Sequence, residues 1–461
     1  MSLTRRDLFR SATAAGALLI AGPAAGSYAA SPDRALRRSR LHPDGGLLVH
    51  TDLHNHTLLS DGAARADEAF AQLRAAGLDV AALTDHAVMG KTAAGSLCAS
   101  GSCTATVGIN EASWQRLAEL ADAANVDNAF VAMRGFEWTT ASLGHVNVWF
   151  SETWTDAASV GALAEPKDAG EVSRFSPVLG PELRGALAPV LDQLPRTTHI
   201  DGFYDWLAAP PDRPIVGGGL DALAGFNHPG SYGDFEDFRY MPAVADRMVS
   251  VEAFSFDKGD YLYEGVGQGK DSPLVRCLDR GWRTGMLGVS DEHRNVFGSA
   301  PQARAGLYVR ELSGAGVREA LLARRFFATR EPGVRLDTAA NGVRMGSTLG
   351  HRSGRVRIAW DFDGPVEWRG RRLLASVLST GSPLPRVLAQ REFVVPDGPA
   401  ALPHLDLSHD VEDGRWLLLR ITDSDAPADP RALGTYVAAG NALAYASPFF
   451  LDPDVPAPVP Q

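Results

Sequence analysis

The chain has 461 residues, about 45% apolar and 21% charged, the profile of a soluble globular protein long enough for two or three domains. Its formal net charge of −11 leaves no basic footprint for a nucleic acid polymer and argues against any polyanionic partner. A locally positive centre would still take a small anion.

In chain order, residues 1–30 read as a twin-arginine export signal. Arg5-Arg6 precede Phe9, a modest apolar stretch runs from Ala12 to Ala25, and Ser27-Tyr28-Ala29-Ala30 offers a small-residue cleavage site. Leu8-Phe9 stands in the reverse of the usual order, and Gly16, Gly22 and Pro23 break the apolar stretch, so no stable membrane span is expected. The expected location is therefore extracellular, periplasmic or in the cell envelope. Residues 31–46 are polar, Arg-rich and end in PDGG, a linker.

From Leu47 onward strand-like and helix-like stretches alternate. LLVHTDLH, LDVAALTDH and FVAMRGFEW read as strands. ARADEAFAQLRAAG has helical spacing with Gly77 as its stop, and NEASWQRLAELADAAN is a second helix with Asn110 as N-cap. DALAGFNHPG, RMVSVEAFSF and WRTGMLGVSDEH follow, and the alternation argues for a parallel sheet with crossover helices. Residues 151–219 loosen into a Pro- and Gly-rich insertion with an aromatic cluster, FYDWL, expected to roof a site. From about Arg335 short strand-like runs such as RVRIAWDF, REFVVP and RWLLLRIT alternate with turns, the pattern of an all-β, sandwich-like module ending in a Pro-rich tail. Of the three cysteines, Cys98 and Cys103 lie close enough to close a small disulfide, and Cys277 reads as a buried small hydrophobe.

Six of the twelve histidines stand at suggestive places: His54, His56, His86, His145, His228 and His293. Asp61, Asp85, Glu137 and Asp291 accompany them. Residues i and i+2 of a strand project from one face, so His54 and His56 point together, as do Asp291 and His293. Taken singly, HNH, TDH, GFEW, NHPG and SDEH each have an ordinary structural reading as turns, caps or ion pairs. Their arrival in this order, nearly all at strand ends, is the signature of a metal site, because imidazole and carboxylate suit Zn, Mn or Fe.

DLHNHTLLSDG, LTDHA, RGFEWTTASLGHVNVW, FNHPG and GVSDEH together resemble the ordered motifs of the polymerase and histidinol phosphatase (PHP) superfamily. The coupling of GFEWTT to GHVNV is similar to the exported CehA/McbA-type metallohydrolase branch. The resemblance spans about residues 47–298 and implies a distorted (β/α)7 TIM-like barrel over 47–330, with a smaller all-β sandwich-like domain over 331–461. It implies two or three divalent metal ions. His54, His56, Glu137 and Asp291 would hold one; Glu137 would bridge to a second completed by His145 and His228; Asp61, His86 and His293 would hold a third. In some relatives a histidine stands in the place of Asp61, and Ala87 follows TDH where a polar residue is frequent. Asp85 is expected to orient an imidazole, and Arg294 and Lys91 are candidates to steady a phosphate.

Hydroxide formed from water shared between two such ions would attack phosphorus or an acyl carbon. No GxSxG elbow accompanies the histidines, so a serine nucleophile is not expected. The expected activity is an exported metal-dependent phosphoesterase acting on a small-molecule phosphomono- or diester. The same site chemistry would serve carboxyl esters, carbamates or amides, and a third reading is a non-catalytic envelope protein with structural ions. Substrate and oligomeric state are not legible.

Overall fold

The computed structural model describes residues 38–91, 108–140, 142–162, 199–214, 216–255, 259–300, 302–398, 400–425 and 442–456. The expected export signal, Cys98, Cys103, residues 163–198 of the insertion and the end of the Pro-rich tail lie outside the described residues.

The first strands are β1 (Leu47–Asp52), β2 (Val80–Leu83), the short β3 (His86–Ala87), β4 (Val131–Thr139) and β5 (His145–Trp149). Helix α1 (Ala66–Ala75) follows β1 and buries Ala66, Ala69, Phe70 and Leu73, one face at helical spacing. Asp67 and Glu68 occupy its first turn, where the helix dipole favours acids. Helix α2 (Glu111–Ala124) precedes β4. Asn110 caps it: its side chain accepts from Ser113 N at 3.0 Å, and Asn110 N donates to Ser113 Oγ at 2.7 Å.

Helix α3 (Asp201–Ala208) contains the FYDWL cluster. Phe203, Tyr204, Trp206 and Leu207 are buried at helical spacing, opposite the exposed Asp205. Then come β6 (Leu223–Asn227), β7 (Met248–Ser255) and β8 (Gly259–Asp260). Helix α4 (Pro273–Asp279) buries Cys277, and β9 (Gly285–Val289), β10 (Arg304–Val309), α5 (Gly314–Leu322) and β11 (Phe326–Thr329) follow.

β2 lies between β1 and β4, parallel to both. β4, β5 and β6 then alternate in direction, and β6, β7 and β9 are parallel neighbours. The sheet is thus mixed rather than parallel throughout. The five residues between β4 and β5 are too few for a crossover, so β5 returns beside β4 as a hairpin. Beyond β9, Asp291 N donates to His54 O and His56 N to Glu292 O, each at 3.0 Å, tying the segment after β9 to the segment after β1. The architecture is mixed α/β and sheet-rich.

From Arg335 on, the described residues carry strands joined by turns and short 3₁₀ segments. They are β12 (Arg335–Ala340), β13 (Val343–Arg344), β14 (Thr348–Gly350), β15 (Ser353–Asp363) and β16 (Arg372–Ser379). β17 (Arg386–Val394), β18 (His404–Asp410), β19 (Trp416–Asp423), β20 (Ala442–Ala446) and β21 (Phe449–Asp452) complete the chain. β13, β12, β15 and β18 make a four-stranded antiparallel sheet. The others are not separate from the first half: β17, β16, β19 and β20 pair in order, β20 pairs with β11, β11 with β10, and β10 with β1. Side chains follow the ladder, since Leu48, Tyr308 and Phe327 share one apolar core with Trp360, Leu373 and Phe449.

Candidate metal centre

The chemistry-bearing residues collect where the strands end. His54 and His56 follow β1, and the intervening Asn55 bridges to Glu292, which aligns the two histidines with Asp291. His86 opens β3, Glu137 lies near the end of β4, His145 begins β5, and His228 follows β6 directly. Asp291 and His228 take positive φ values of 52° and 25°, conformations that cost non-glycine residues energy and cluster at functional sites. Gly108, at φ +74°, packs under His86; a Cβ there would sit 1.9 Å from the His86 carbonyl oxygen.

The structure brings all nine expected residues into four overlapping groups, the donor atoms within each lying within 4.8 Å of one another. They are His54, His56 and Asp291; His54, Glu137 and His228; His86, Glu137 and His145; and His56, Asp61, His86 and His293. The grouping is finer than the motif order implies. Glu137 reaches towards four of these imidazoles at close range: its Oε1 lies 3.2 Å from His54 Nε2, His145 Nδ1 and His228 Nε2, and its Oε2 lies 2.6 Å from His86 Nδ1. His56 joins the Asp61 group as well as that of Asp291.

The donor set fits a divalent cation. His54 Nε2 and His56 Nε2 face each other at 3.0 Å, and Asp291 Oδ1 lies 3.3 and 3.2 Å from them. Ligands held at about 2.1 Å around one ion stand roughly 3.0–3.4 Å apart, which is this spacing. His56 Nδ1 is buried without a hydrogen-bond partner, with Asp61 Oδ1 3.9 Å away.

Burial works against charge on His54, but the carboxylates of Asp291, Glu252 and Glu137 outweigh it and hold its pKa well above the usual imidazole value. His56 is pushed down to about 3 by burial, with His293 and His86 adding to the effect, and so stays neutral, with one ring nitrogen free to ligate. For Glu137 and Asp61 burial works upward. Surrounding histidines overcome it and hold both carboxyls well below their usual range. The ionised acids are thus paired with His54, His86 and His293, whose pKa values they raise against the effect of burial, around the neutral His56, and a bound cation would take the place of those imidazole protons. The Asp61 group opens to solvent, with the side chains of Asp61 and His293 38% and 31% exposed, whereas His54, His56 and Glu137 are sealed.

Three expected site residues have other contacts. Asp85 does not orient an imidazole: it accepts from Thr57 N at 2.7 Å, Thr57 Oγ1 at 2.8 Å and Ser60 Oγ at 2.7 Å. It pins the turn after the histidine pair, and burial raises its pKa. Arg294 lies with its guanidinium 3.6 Å from Glu292 and its side chain half exposed. Lys91 lies over the Trp154 ring at 5.0 Å, and its backbone N–H donates to Asp156.

Other contributors escaped sequence reading. Glu252, buried in β7, meets His54 Nδ1 at 2.7 Å. Asn227 donates to Glu137 Oε1 at 2.7 Å, and Asp52 accepts from Ser290 N at 3.1 Å. Tyr232 stacks on His145 with centroids 4.7 Å apart and planes 3° from parallel, its ring partly exposed at the mouth. The signal for Glu252 is one acid inside the apolar run MVSVEAFS. A hollow of about 230 Å³ lined by Arg40, Phe362 and Arg391 belongs to the C-terminal strands, away from the histidines.

Comparison with protein-family models finds no match, and neither does comparison with curated proteins. Among solved structures, the chain is similar to a two-domain protein from Bacteroides vulgatus containing a predicted PHP-like metal-dependent phosphoesterase. The identity is 15%, covering 88% of this chain and 96% of that one, with a TM-score of 0.39. A second likeness is to a protein from Bifidobacterium adolescentis described as a metal-dependent phosphoesterase. It shows 16% identity over 59% of this chain and 95% of that one, TM-score 0.27. A third is an amidohydrolase from Chromobacterium violaceum with bound sulfate and no metal, at 15% identity over 53% and 87%, TM-score 0.24.

Proposed function

We propose that this chain is a metal-dependent hydrolase of the PHP type, exported by the twin-arginine route, whose substrate is a small phosphomono- or diester. The observation that carries this reading is the convergence of six histidines and three carboxylates, the buried Glu137 among them, at ligand-to-ligand spacing. His54, His56, Glu137 and Asp291 would hold one cation, Glu137 with His145 and His228 a second, and Asp61, His86 and His293 a third. Bound Zn, Mn or Fe ions would acidify water and neutralise charge developing on phosphoryl oxygens. The chain's part is to present imidazole and carboxylate donors, which give up their protons to a bound cation, and to keep bulk water from the inner sites. The Asp61 side, being open, is where a substrate would enter. A distorted (β/α)7 barrel is the fold that such a site accompanies, with the β4–β5–β6 antiparallel run as its distortion, and the CehA/McbA-type branch is the nearest reading from the motifs.

The test is a substrate panel on protein reconstituted separately with Mn, Zn and Fe. Turnover of p-nitrophenyl phosphate or its diester is expected. Turnover confined to naphthyl acetate or carbamate would transfer the assignment to carbon esters, and no turnover with metal bound would leave a structural metalloprotein.

A further inference from the structure

We propose that Glu252 is a positioning residue that aims two of the candidate ligand imidazoles, His54 and His228, at the shared carboxylate Glu137. The inference rests on the metal-site reading and assigns it a residue that no motif marks.

Glu252 is almost fully buried, and each of its oxygens has one task. Oε1 lies 2.7 Å from His54 Nδ1, and Oε2 accepts from the backbone N–H of His228 at 2.6 Å. With Nδ1 engaged by an acceptor, His54 presents Nε2 towards Glu137, Asp291 and His56, which lie 3.2, 3.3 and 3.0 Å away. The second bond anchors His228 where its φ is +25°, a conformation that needs outside support. His228 Nε2 then lies 3.2 Å from the same Glu137 oxygen. One carboxylate thus governs two rings from different strands that converge on one atom.

The local backbone is shaped for this. The register between β7 and β9 slips between Glu252 and Phe254, a bulge immediately after the acid. Bulges re-aim neighbouring side chains and recur beside functional sites. A glutamate that only filled space in β7 would not need both oxygens committed to the histidines of two other segments. Carboxylates behind ligand histidines fix ring orientation, and losing one costs about 10–100-fold in metal affinity.

The test compares the full chain with its Glu252→Gln and Glu252→Ala variants, titrating metal-free protein with Co2+ against a competing chelator and recording the visible Co2+ spectrum. Circular dichroism and thermal melting establish folding first. Gln keeps the volume but offers an N–H where an acceptor is required, so a folded Glu252→Gln is expected to bind Co2+ about 10–100-fold more weakly, with an altered spectrum. Should Ala not fold, Gln decides, and Glu252→Asp, which keeps the charge, is expected to recover part of the affinity. A merely structural role would lower the melting temperature while leaving affinity and spectrum unchanged, and that result overturns the proposal. A parent chain that takes up no Co2+ sinks the metal reading itself. A parent that binds, beside a Gln variant that binds equally well, sinks this inference alone.

Discussion

Replacing Glu137 with glutamine tests the centre most directly. The change keeps shape and removes the charge on which His54, His145 and His228 converge at 3.2 Å and against which His86 lies at 2.6 Å. Because the carboxylate belongs to two of the candidate sites, the variant loses an anionic ligand from both. A ligand at 100 times its dissociation constant stabilises a fold by about 2.7 kcal/mol per site, so two sites amount to about 5 kcal/mol. For a chain of 461 residues the unfolding entropy is of order 1 kcal/mol per degree. Saturating Zn or Mn is therefore expected to raise the parent's melting temperature by roughly 5 °C, and Glu137→Gln to abolish most of that rise. Differential scanning fluorimetry with and without metal measures the shift, and elemental analysis of the same samples counts the ions. Turnover should fall by at least about 10²–10³-fold, the loss expected when one preorganised charge-stabilising group is removed. A Glu137→Gln protein with the parent's metal content and the parent's shift would refute the reading of this carboxylate as the hub.

Three further outcomes are expected. Asp85→Ala strands the Thr57 amide and hydroxyl and the Ser60 hydroxyl; stability by chemical denaturation should fall by about 3 kcal/mol, with metal retention falling alongside, and an unchanged midpoint would mean that the turn holds without it. Tyr232→Ala removes the ring stacked on His145 and partly exposed at the mouth; KM should rise about 2–10-fold with kcat nearly kept, and a pure kcat effect would place Tyr232 in the chemical step instead. Burial raises Asp260, beside the Tyr445 hydroxyl, from 3.8 to about 6. Its neutral form is the favoured one when folded, so that stability is complete below pH ~3.8 and is lost as pH rises through about 6. Asp260→Asn should gain on the parent by up to about 3 kcal/mol between pH 4 and 7, and parallel stability curves for the two proteins would contradict this.

The residues most legible in the chain were those whose spacing is local. His54 and His56 do share one ligand group, as their i and i+2 spacing suggests, although both follow β1; Asp291, at φ 52°, joins them while His293 falls in the Asp61 group. What could not be read is what depends on partners distant in sequence. Asp85 looked like a companion of His86 because it precedes it, yet its side chain turns the other way and closes on Thr57 and Ser60. Glu252 gave no motif, since its importance lies in touching His54 across 198 positions. α3 was harder to read because it is only eight residues long beside a Pro- and Gly-rich stretch, although Phe203, Tyr204, Trp206 and Leu207 do form one buried face opposite the exposed Asp205. The return of β5 beside β4 was legible in principle, from the shortness of the link between GFEWTT and GHVNV.

The ladder that runs from β1 through β10 and β11 into β20 bears on how this chain can be divided. A gene cut near residue 330, at the change in sequence character, would strip β11 of its β20 partner. The backbone donors and acceptors of Phe326–Thr329 would be left facing water, with Leu48, Tyr308 and Phe327 uncovered beside them. Such an edge is a template for pairing with another copy. The shorter product would meet the cell as an aggregation-prone fragment, and the C-terminal strands are better regarded as the other half of one folding unit than as cargo.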